Sequence, residues 1–493
     1  MEQGGGGGEV AVARAAPEAD DGADRISALP DDALVLILLR LKTAAAARTS
    51  VLSRRWRRLW RLLPELSFRR PVAVDRLLAV LEGHEAPLQA LLIRLRLAAT
   101  ADSKAALLRA AARRVCGRLD FVDTAPPRDE GAQENAFALP CFDRATSISL
   151  DLGFRGLAAP AAGVFARLAE LNLRCVQFEG PWGIGDSFSS PRFPCLQKLS
   201  IHDAWTMESL TIHSDCLLQV ELNNTYGLRQ LTIVAPALEQ LRVMPCSRPR
   251  QPDVNISAPQ LKLLWMDMFD PRLVHLGNME HEHAQRLGSF DLLVYGNEEA
   301  HSQHNHAAQR LWRHFKVVED LTLGLFYPDV ISGNLQYLMD DMTILPDITF
   351  LHLNVMANRH VFGASSFHVL KMCSGIRRLC LALVNTRDGD YTCPSGCICR
   401  QQSNWESEEL FLNHLQELVL IGIRGSEHEA PFVRRLFNWA TVLSKLSVFF
   451  DVSVTESMAK ELYQIVQSFS RPEICMEFYR DLNGNKVLYA PKD

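Results

Sequence analysis

The chain has 493 residues, 47% apolar and 22% charged, with a formal net charge of −5. That is ordinary globular composition, which excludes a largely disordered chain and a protein that binds polyanions over its whole surface. The length predicts two to four domains or one elongated repeat array.

Twelve cysteines are scattered without a dense framework, so free thiols in a reducing compartment are expected. The N-terminus lacks an apolar core of signal-peptide length, and no run approaches the ~18 apolar residues of a membrane helix. A soluble intracellular protein of the nucleus and/or cytoplasm is the expectation.

Residues 1–23 are mostly Gly, Ala and acidic residues, with no large apolar side chain beyond the initial Met1 and two valines. They cannot offset chain entropy by burial and predict a disordered tail. At Asp24 the texture changes. "DRISALPDDALVLILLRLKTAAAARTSVLSRRWRRLWRLLPELSF" predicts three short helices. Pro30 suits a first helical turn, and Asp31 and Asp32 suit the positive end of its dipole. Leu34, Ile37, Leu38 and Leu41 follow helical spacing, while Val35, Leu36 and Leu39 fill the other side. A module of ~45 residues cannot bury a helix that is apolar almost all round, so the surplus face needs a partner or the next domain. Residues 43–49 form a second helix, and Ser50 or Ser53 caps a third that ends before Pro64.

Residues 40–70 carry ten Arg/Lys against the single acid Glu65. Three readings stand: one solvated face of the third helix, a nuclear-import signal in "RRWRR", or a nucleic-acid contact. Leu52, Trp56, Leu59, Trp60 and Leu63 recur at helical spacing and favour the first. The acidic balance elsewhere and the lack of a nucleic-acid-binding motif speak against the last.

This stretch closely resembles the plant form of the F-box: "DRISALPDD", an aliphatic helix, then "RTSVLSRRWRRLW". The resemblance implies docking on a Skp-type adaptor, and through it on a cullin-based ubiquitin ligase. By position it implies that Leu29 and Pro30 begin the contact and that Leu34, Ile37 and Leu41 continue it. Leu52, Ser53 and Trp56 contact the adaptor or brace that surface. "AAAA" at 44–47 departs from the usual Pro, Lys and acidic residues, but alanine favours helix, so the second helix is expected intact.

From about residue 85 an L-x-x-L-x-L pattern returns, from "LQALLI" (88–93) and "LAELNL" (168–173) to "LQELVL" (415–420) and "LSKLSV" (443–448). "CGRLDF", "ATSISL" and "LGSFDL" are weaker copies. Central positions fall at 91, 119, 148, 171, 199, 220, 241, 264, 290, 321, 351, 379, 418 and 446, most of them 21–31 residues apart. This is close to the spacing of leucine-rich repeats. The predicted fold class is therefore α/β: a three-helix N-terminal module followed by a solenoid with parallel strands on its concave face. "MESLTI" (207–212) and "LRQLTI" (228–233) fall between repeats and predict inward-facing apolar segments on the far side of short coils. A helix is expected at 102–116. The residues between the paired leucines face outward: Asn172, Ser200, Glu221, Arg242, Trp265, Asp291, Thr322 and His352. They are candidate target contacts, with a merely solvated sheet face as the alternative. Trp265 is the best single candidate anchor, with core packing as its alternative.

Residues 67–450 also resemble plant leucine-rich F-box proteins. "HEAPFVRRLFNWATVLSKLSVFFD", a helix and "RPEICMEFY" resemble their C-terminal FBD region. Ser453 and Glu456 form a possible capping box for a helix with Met458, Leu462, Ile465, Val466 and Phe469 apolar, and a strand at 474–479 closes the sheet. The expected domains are 1–23, 24–66, 67–424 and 425–493.

No phosphate loop, zincin motif or nucleophile elbow is present. "GPWGIGDS" (180–187) lacks the third glycine at dinucleotide spacing. "CPSGCICR" places Cys393, Cys397 and Cys399 in the longest inter-repeat gap. No matching Cys/His pair follows, so a surface loop rather than a metal site is expected. "HEH" (281–283) and "HSQHNH" (301–306) predict a solvated loop before a helix around Trp312. No catalytic residue, cofactor, metal, nucleic acid or membrane is expected. The resemblance implies a substrate-recognition subunit of a Skp–cullin–F-box ubiquitin ligase that holds an unknown target. The alternatives are a non-degradative adaptor-bound scaffold or a small-ligand receptor.

Overall fold

The computed structural model describes residues 26–490 apart from 27, 71, 97–98, 125–135, 159–162, 180–187, 245–250, 268, 278–280, 385–392, 394–395, 402 and 483–484. The expected tail at 1–23 and the glycine-rich "GPWGIGDS" lie outside the described residues.

Three short helices open the fold: α1 (Asp31–Leu39), α2 (Thr43–Arg48) and α3 (Arg54–Leu59). They join the repeats without a break. The first strand, Glu65–Phe68, pairs in parallel with Leu88–Leu95. Thr43 Oγ1 accepts a hydrogen bond from Ser67 N (2.8 Å), so α2 covers part of that strand's edge. Glu85 and Ala86 donate their backbone N–H groups to the Arg61 carbonyl (3.1 and 3.3 Å). The buried imidazole of His84 donates from Nε2 to the Leu63 carbonyl (2.9 Å).

A long sheet, parallel except at its last strand, runs through the chain. Its core row is the predicted leucine series. Leu91, Leu119, Ile148, Leu171, Leu199, Val220, Leu241 and Leu264 are register partners in succession. The row continues through Leu287, Leu321, Leu351, Leu379, Leu418 and Leu446. Each coil supplies one strand and takes its hydrogen bonds and half of its apolar cover from its neighbours.

One register differs from expectation. In "LGSFDL" the row residue is Leu287, not Phe290, because the ladder shifts between Leu287 and Phe290. A bulge inserts residues that a fixed template does not count.

Across the core lie α4 (Val74–Glu82), α5 (Ala101–Arg114), α6 (Glu298–Trp312), α7 (Gly363–Lys371), α8 (Glu429–Trp439) and α9 (Glu456–Gln467). Between α5 and α6 a second parallel sheet stands where helices would: Ser209–His213, Gln230–Val234, Asp253–Ser257 and Val274–Leu276. Its first two strands are the predicted inter-repeat segments, and Leu210, Ile212, Leu231 and Ile233 face inward.

α6 corrects the reading of the histidine-rich stretch. His301, His304 and His306 lie inside the helix, not on a loop before it. Its inner face is partly polar but satisfied. Asn305 exchanges two 2.9 Å hydrogen bonds with the backbone of Leu293, and His304 Nε2 bonds the Asp291 carbonyl at 2.8 Å. His281, in the stretch's other half, is buried in a strand and stacks on Phe315 at 4.7 Å.

At the C-terminus α9 is capped by Thr455 Oγ1, which accepts from Met458 N (3.4 Å), rather than by Ser453. Glu456 instead pairs with Arg480. The strand Cys475–Leu482 continues the sheet, and Asn485–Leu488 folds back on it antiparallel, covering its edge.

Candidate functional site

The N-terminal module keeps few of its apolar side chains inside. α1 buries Leu34 and Leu38, and α3 buries Trp56 and Leu59. Ser53 caps α3 by accepting a hydrogen bond from Trp56 N (3.4 Å), and the Trp56 side chain is buried. Arg55 crosses to α1, with its Nε on Asp31 Oδ1 (2.7 Å) and its Nη2 on the Leu29 carbonyl (2.5 Å). Arg58 reaches Glu85 at 3.2 Å. Part of the basic run thus ties helices together, and Arg54 and Arg57 face solvent.

Of the expected adaptor contacts, Pro30, Ile37, Leu41, Leu52 and Ser53 are exposed and Leu29 is half-buried. Leu34, also an expected contact, is fully buried within the chain. Trp56, also buried, occupies a bracing position. Leu36 and Leu39, from the surplus apolar side of the first helix, are also exposed, as is Val51, which sequence reasoning did not single out. Leu36 is 64% exposed, Val51 82% and Leu52 66%. The all-round apolarity of α1 was the signal for this surplus. So many exposed aliphatic side chains within about 16 residues exceed the scattered few of an ordinary surface.

The outward row of the long sheet holds the expected middle residues in register. Asn172, Ser200, Glu221, Arg242 and Trp265 are successive partners, as are Thr322 and His352. Their availability differs. Ser200 and Thr322 are buried by their neighbours, which removes them as open contacts. Arg242 is exposed, and Asn172, Glu221, Trp265 and His352 are half-exposed. Asp291 leaves the row because of the bulge and pairs with Gly324. Trp265 pairs with Gly288, where an added Cβ would stand 3.2 Å from the indole, so the ring lies partly over the glycine.

His352 belongs to a network that sequence spacing did not reveal. Its Nε2 stands 3.5 Å from Asp320, which pairs with Arg286 at 2.8 Å. Its ring meets Phe350 at 4.0 Å, and the Arg378 guanidinium sits 4.5 Å over Phe350. Burial holds the imidazole below the usual histidine range. Asp320 opposes this, and the Arg286 and Arg378 charges add to it. A second missed feature is aromatic. Trp205 stacks on Tyr226 at 4.3 Å and meets Phe154 edge-on at 6.3 Å. Phe154 and Trp205 remain about half exposed. Such rings suit a protein contact.

The cysteine stretch is not the surface loop expected. Cys397 and Cys399 are buried, and His360 comes from 33 positions before Cys393 to join the three sulfurs. Burial pushes the Cys393 and Cys399 thiols up and the His360 imidazole down. Among the described residues the cysteines form no disulfide, and no described helix is long and apolar enough to cross a membrane.

Comparison with known proteins bears on this geometry. The F-box domain family matches residues 26–68. An F-box/FBD/LRR-repeat protein of Arabidopsis thaliana is 26% identical over 470 residues, covering 89% of this chain and 91% of that one. Another Arabidopsis F-box/FBD/LRR-repeat protein is 60% identical over 45 residues, 9% of this chain and 10% of its own length. An FBD-associated F-box protein of the same plant is 48% identical over 52 residues, 10% of this chain and 12% of its own. The chain therefore carries an N-terminal F-box domain and, over most of its length, is similar to a plant F-box/FBD/LRR-repeat protein.

Proposed function

We propose that the chain is the substrate-recognition subunit of a Skp–cullin–F-box ubiquitin ligase. The observation that carries this reading is the uncovered aliphatic surface of the F-box, formed by Leu36, Ile37, Leu39, Leu41, Val51 and Leu52 around a core of Leu34, Leu38 and Trp56. Burying one such side chain is worth about 1.5–3 kcal/mol, so a partner covering several gains enough to offset the cost of association. A Skp-type adaptor is that partner, and the cullin is reached through it. Arg55 holding α1 to α3 favours a protein-docking reading of the basic run over a nucleic-acid one.

The target is held by the open sheet face and the strand ends beside it, with Arg242, Trp265, His352 and the Phe154–Trp205–Tyr226 group as contacts. The hydrogen bonds joining His84, Glu85 and Ala86 to the F-box make docking module and target wall one body. The chain supplies no catalytic group. It raises the local concentration of target lysines near a charged conjugating enzyme. Its domains follow as F-box (24–66), repeats (67–424) and FBD-like cap (425–493), and its place is the nucleus or cytoplasm.

The test is reconstitution with a Skp-type adaptor, a cullin and a conjugating enzyme, using proteins captured by the full chain as substrates. Ubiquitin transfer that requires the chain and is lost in Leu36→Asp/Leu52→Asp supports the reading. Adaptor binding with no transfer to any captured protein overturns it in favour of a scaffold.

A further inference from the structure

We propose that His360, Cys393, Cys397 and Cys399 form a closed structural site for a zinc ion, departing from the expectation of no metal. The four ligand atoms all lie within 4.8 Å of one another. His360 Nδ1 is 3.3 Å from Cys393 Sγ and 3.6 Å from the sulfurs of both Cys397 and Cys399. Cys393 Sγ and Cys399 Sγ are 3.4 Å apart. Zinc binds sulfur at about 2.3 Å and imidazole nitrogen at about 2.0–2.1 Å, so a tetrahedron places N–S edges at ~3.6 Å and S–S edges at ~3.8 Å. The three N–S distances and the Cys393–Cys399 separation lie close to those edges.

Other accounts of the cluster fit less well. A disulfide needs sulfurs about 2.05 Å apart, well inside the distance here. Thiol hydrogen bonding cannot satisfy the group either. A neutral imidazole nitrogen offers one lone pair, and three sulfurs converge on it. A cation at the centre takes a lone pair from each of the four atoms at once. Three thiolates and an imidazole form a donor set that selects zinc over harder cations such as magnesium or calcium.

The surroundings fit a structural ion. His360, Cys397 and Cys399 are buried, and four protein ligands leave no open position for a substrate. Three thiolates around a divalent ion leave a net negative charge, and Arg400, which also pairs with Glu427 at 2.9 Å, bonds Cys393. Tyr327 stacks on the imidazole with 6.1 Å between centroids, and its hydroxyl meets Ser365 Oγ at 2.6 Å, which fixes the ring's plane.

The site accounts for the longest inter-repeat gap. His360 lies between the strand Asp347–Met356 and α7. The cysteines lie between the strands Arg378–Leu383 and Glu417–Ile423. The ion pins an insertion that the repeat pattern leaves without its own strand to the turn of the preceding coil.

The test uses full-length protein purified without a metal-affinity tag. Elemental analysis should find about one zinc per chain, falling at least fivefold in Cys397→Ser and Cys399→Ser and unchanged in Cys195→Ser, an exposed cysteine elsewhere. If a ligand variant does not fold, cobalt substitution of the wild type decides. Intense visible bands of tetrahedral cobalt–thiolate support the site. A folded wild type whose zinc content equals that of a folded Cys399→Ser variant overturns the proposal. So does the absence of cobalt–thiolate bands, or a mass-mapped disulfide within the cluster.

Discussion

Asp123 sits at the end of the strand Val115–Asp123 with its side chain 1% exposed. Its carboxylate lies 3.0 Å from the equally buried Lys104 ammonium on α5 and 3.3 Å from Arg155 on the strand Ser147–Ala158. Three elements of the first repeats, those that carry the F-box, thus meet at one charge. Asp123→Asn keeps the shape and removes the carboxylate charge that faces the Lys104 ammonium and the Arg155 guanidinium. Breaking a buried pair in this way costs about 3–5 kcal/mol, against a whole-domain stability of about 5–15 kcal/mol.

Repeat arrays need not unfold in one step, so two measurements are required. Urea unfolding followed by circular dichroism should show an earlier transition. Hydrogen exchange should show lost protection concentrated at 101–123. An apolar replacement of the triad, Lys104→Met/Asp123→Leu/Arg155→Met, should recover most of the loss, because well-packed apolar groups match buried ion pairs in energy. A cost below about 1 kcal/mol for Asp123→Asn would refute the reasoning.

Other outcomes follow from single residues. Trp56→Ala should cost about 3–5 kcal/mol as a core truncation, whereas Leu52→Asp on the exposed surface should stay within about 0.5 kcal/mol in thermal unfolding. Gly117 lies where an added Cβ would overlap the Gln89 carbonyl oxygen. Gly117→Ala should therefore destabilise by about 1–3 kcal/mol or more, read from the unfolding midpoint.

His84 is held below the usual histidine range by burial, with the nearby Arg114 charge adding and the Leu63 carbonyl and Glu85 opposing. A depressed folded pKa means that the unfolded chain binds the extra proton first. The stability from neutral His84 is therefore present above about pH 6.5 and lost as pH falls through and below that value. Melting temperatures at pH 7.5 and 5.5 should differ less in His84→Gln than in the wild type, and an equal difference would contradict this.

The solenoid was legible because a two-residue period repeats at nearly fixed intervals, and burial enforces it. The register of Leu171, Leu199 and Val220 follows from that period alone. It failed at Leu287, where a bulge breaks the period without changing composition. The helix around Trp312 was expected, but the first turns of α6 were hidden because Ser302, Asn305 and Gln309 stand where apolar residues would announce a helix, and only the folded chain shows their partners. "MESLTI" and "LRQLTI" gave away half of the second sheet. The strand Asp253–Ser257 carries two apolar residues and does not match the template.

The F-box was legible as a motif, yet which apolar side chains of α1 turn inward was not: Leu34 and Leu38 are buried and Leu36 is exposed. Three of the proposed zinc ligands were in view in "CPSGCICR", but the fourth was not, because His360 approaches the cysteines only when neighbouring coils stack.

The measurement that bears most directly on the account is the affinity of the purified full-length chain for a Skp-type adaptor. It should be measured alongside Leu36→Asp/Leu52→Asp and Leu29→Ala/Pro30→Ala, with unfolding curves for each. The account predicts tight binding by the wild type. The charged pair should bind at least about a hundredfold more weakly at unchanged stability, since two apolar contacts are exchanged for buried charge. A folded wild type that does not bind, or a charged variant that binds as well as the wild type, would contradict it.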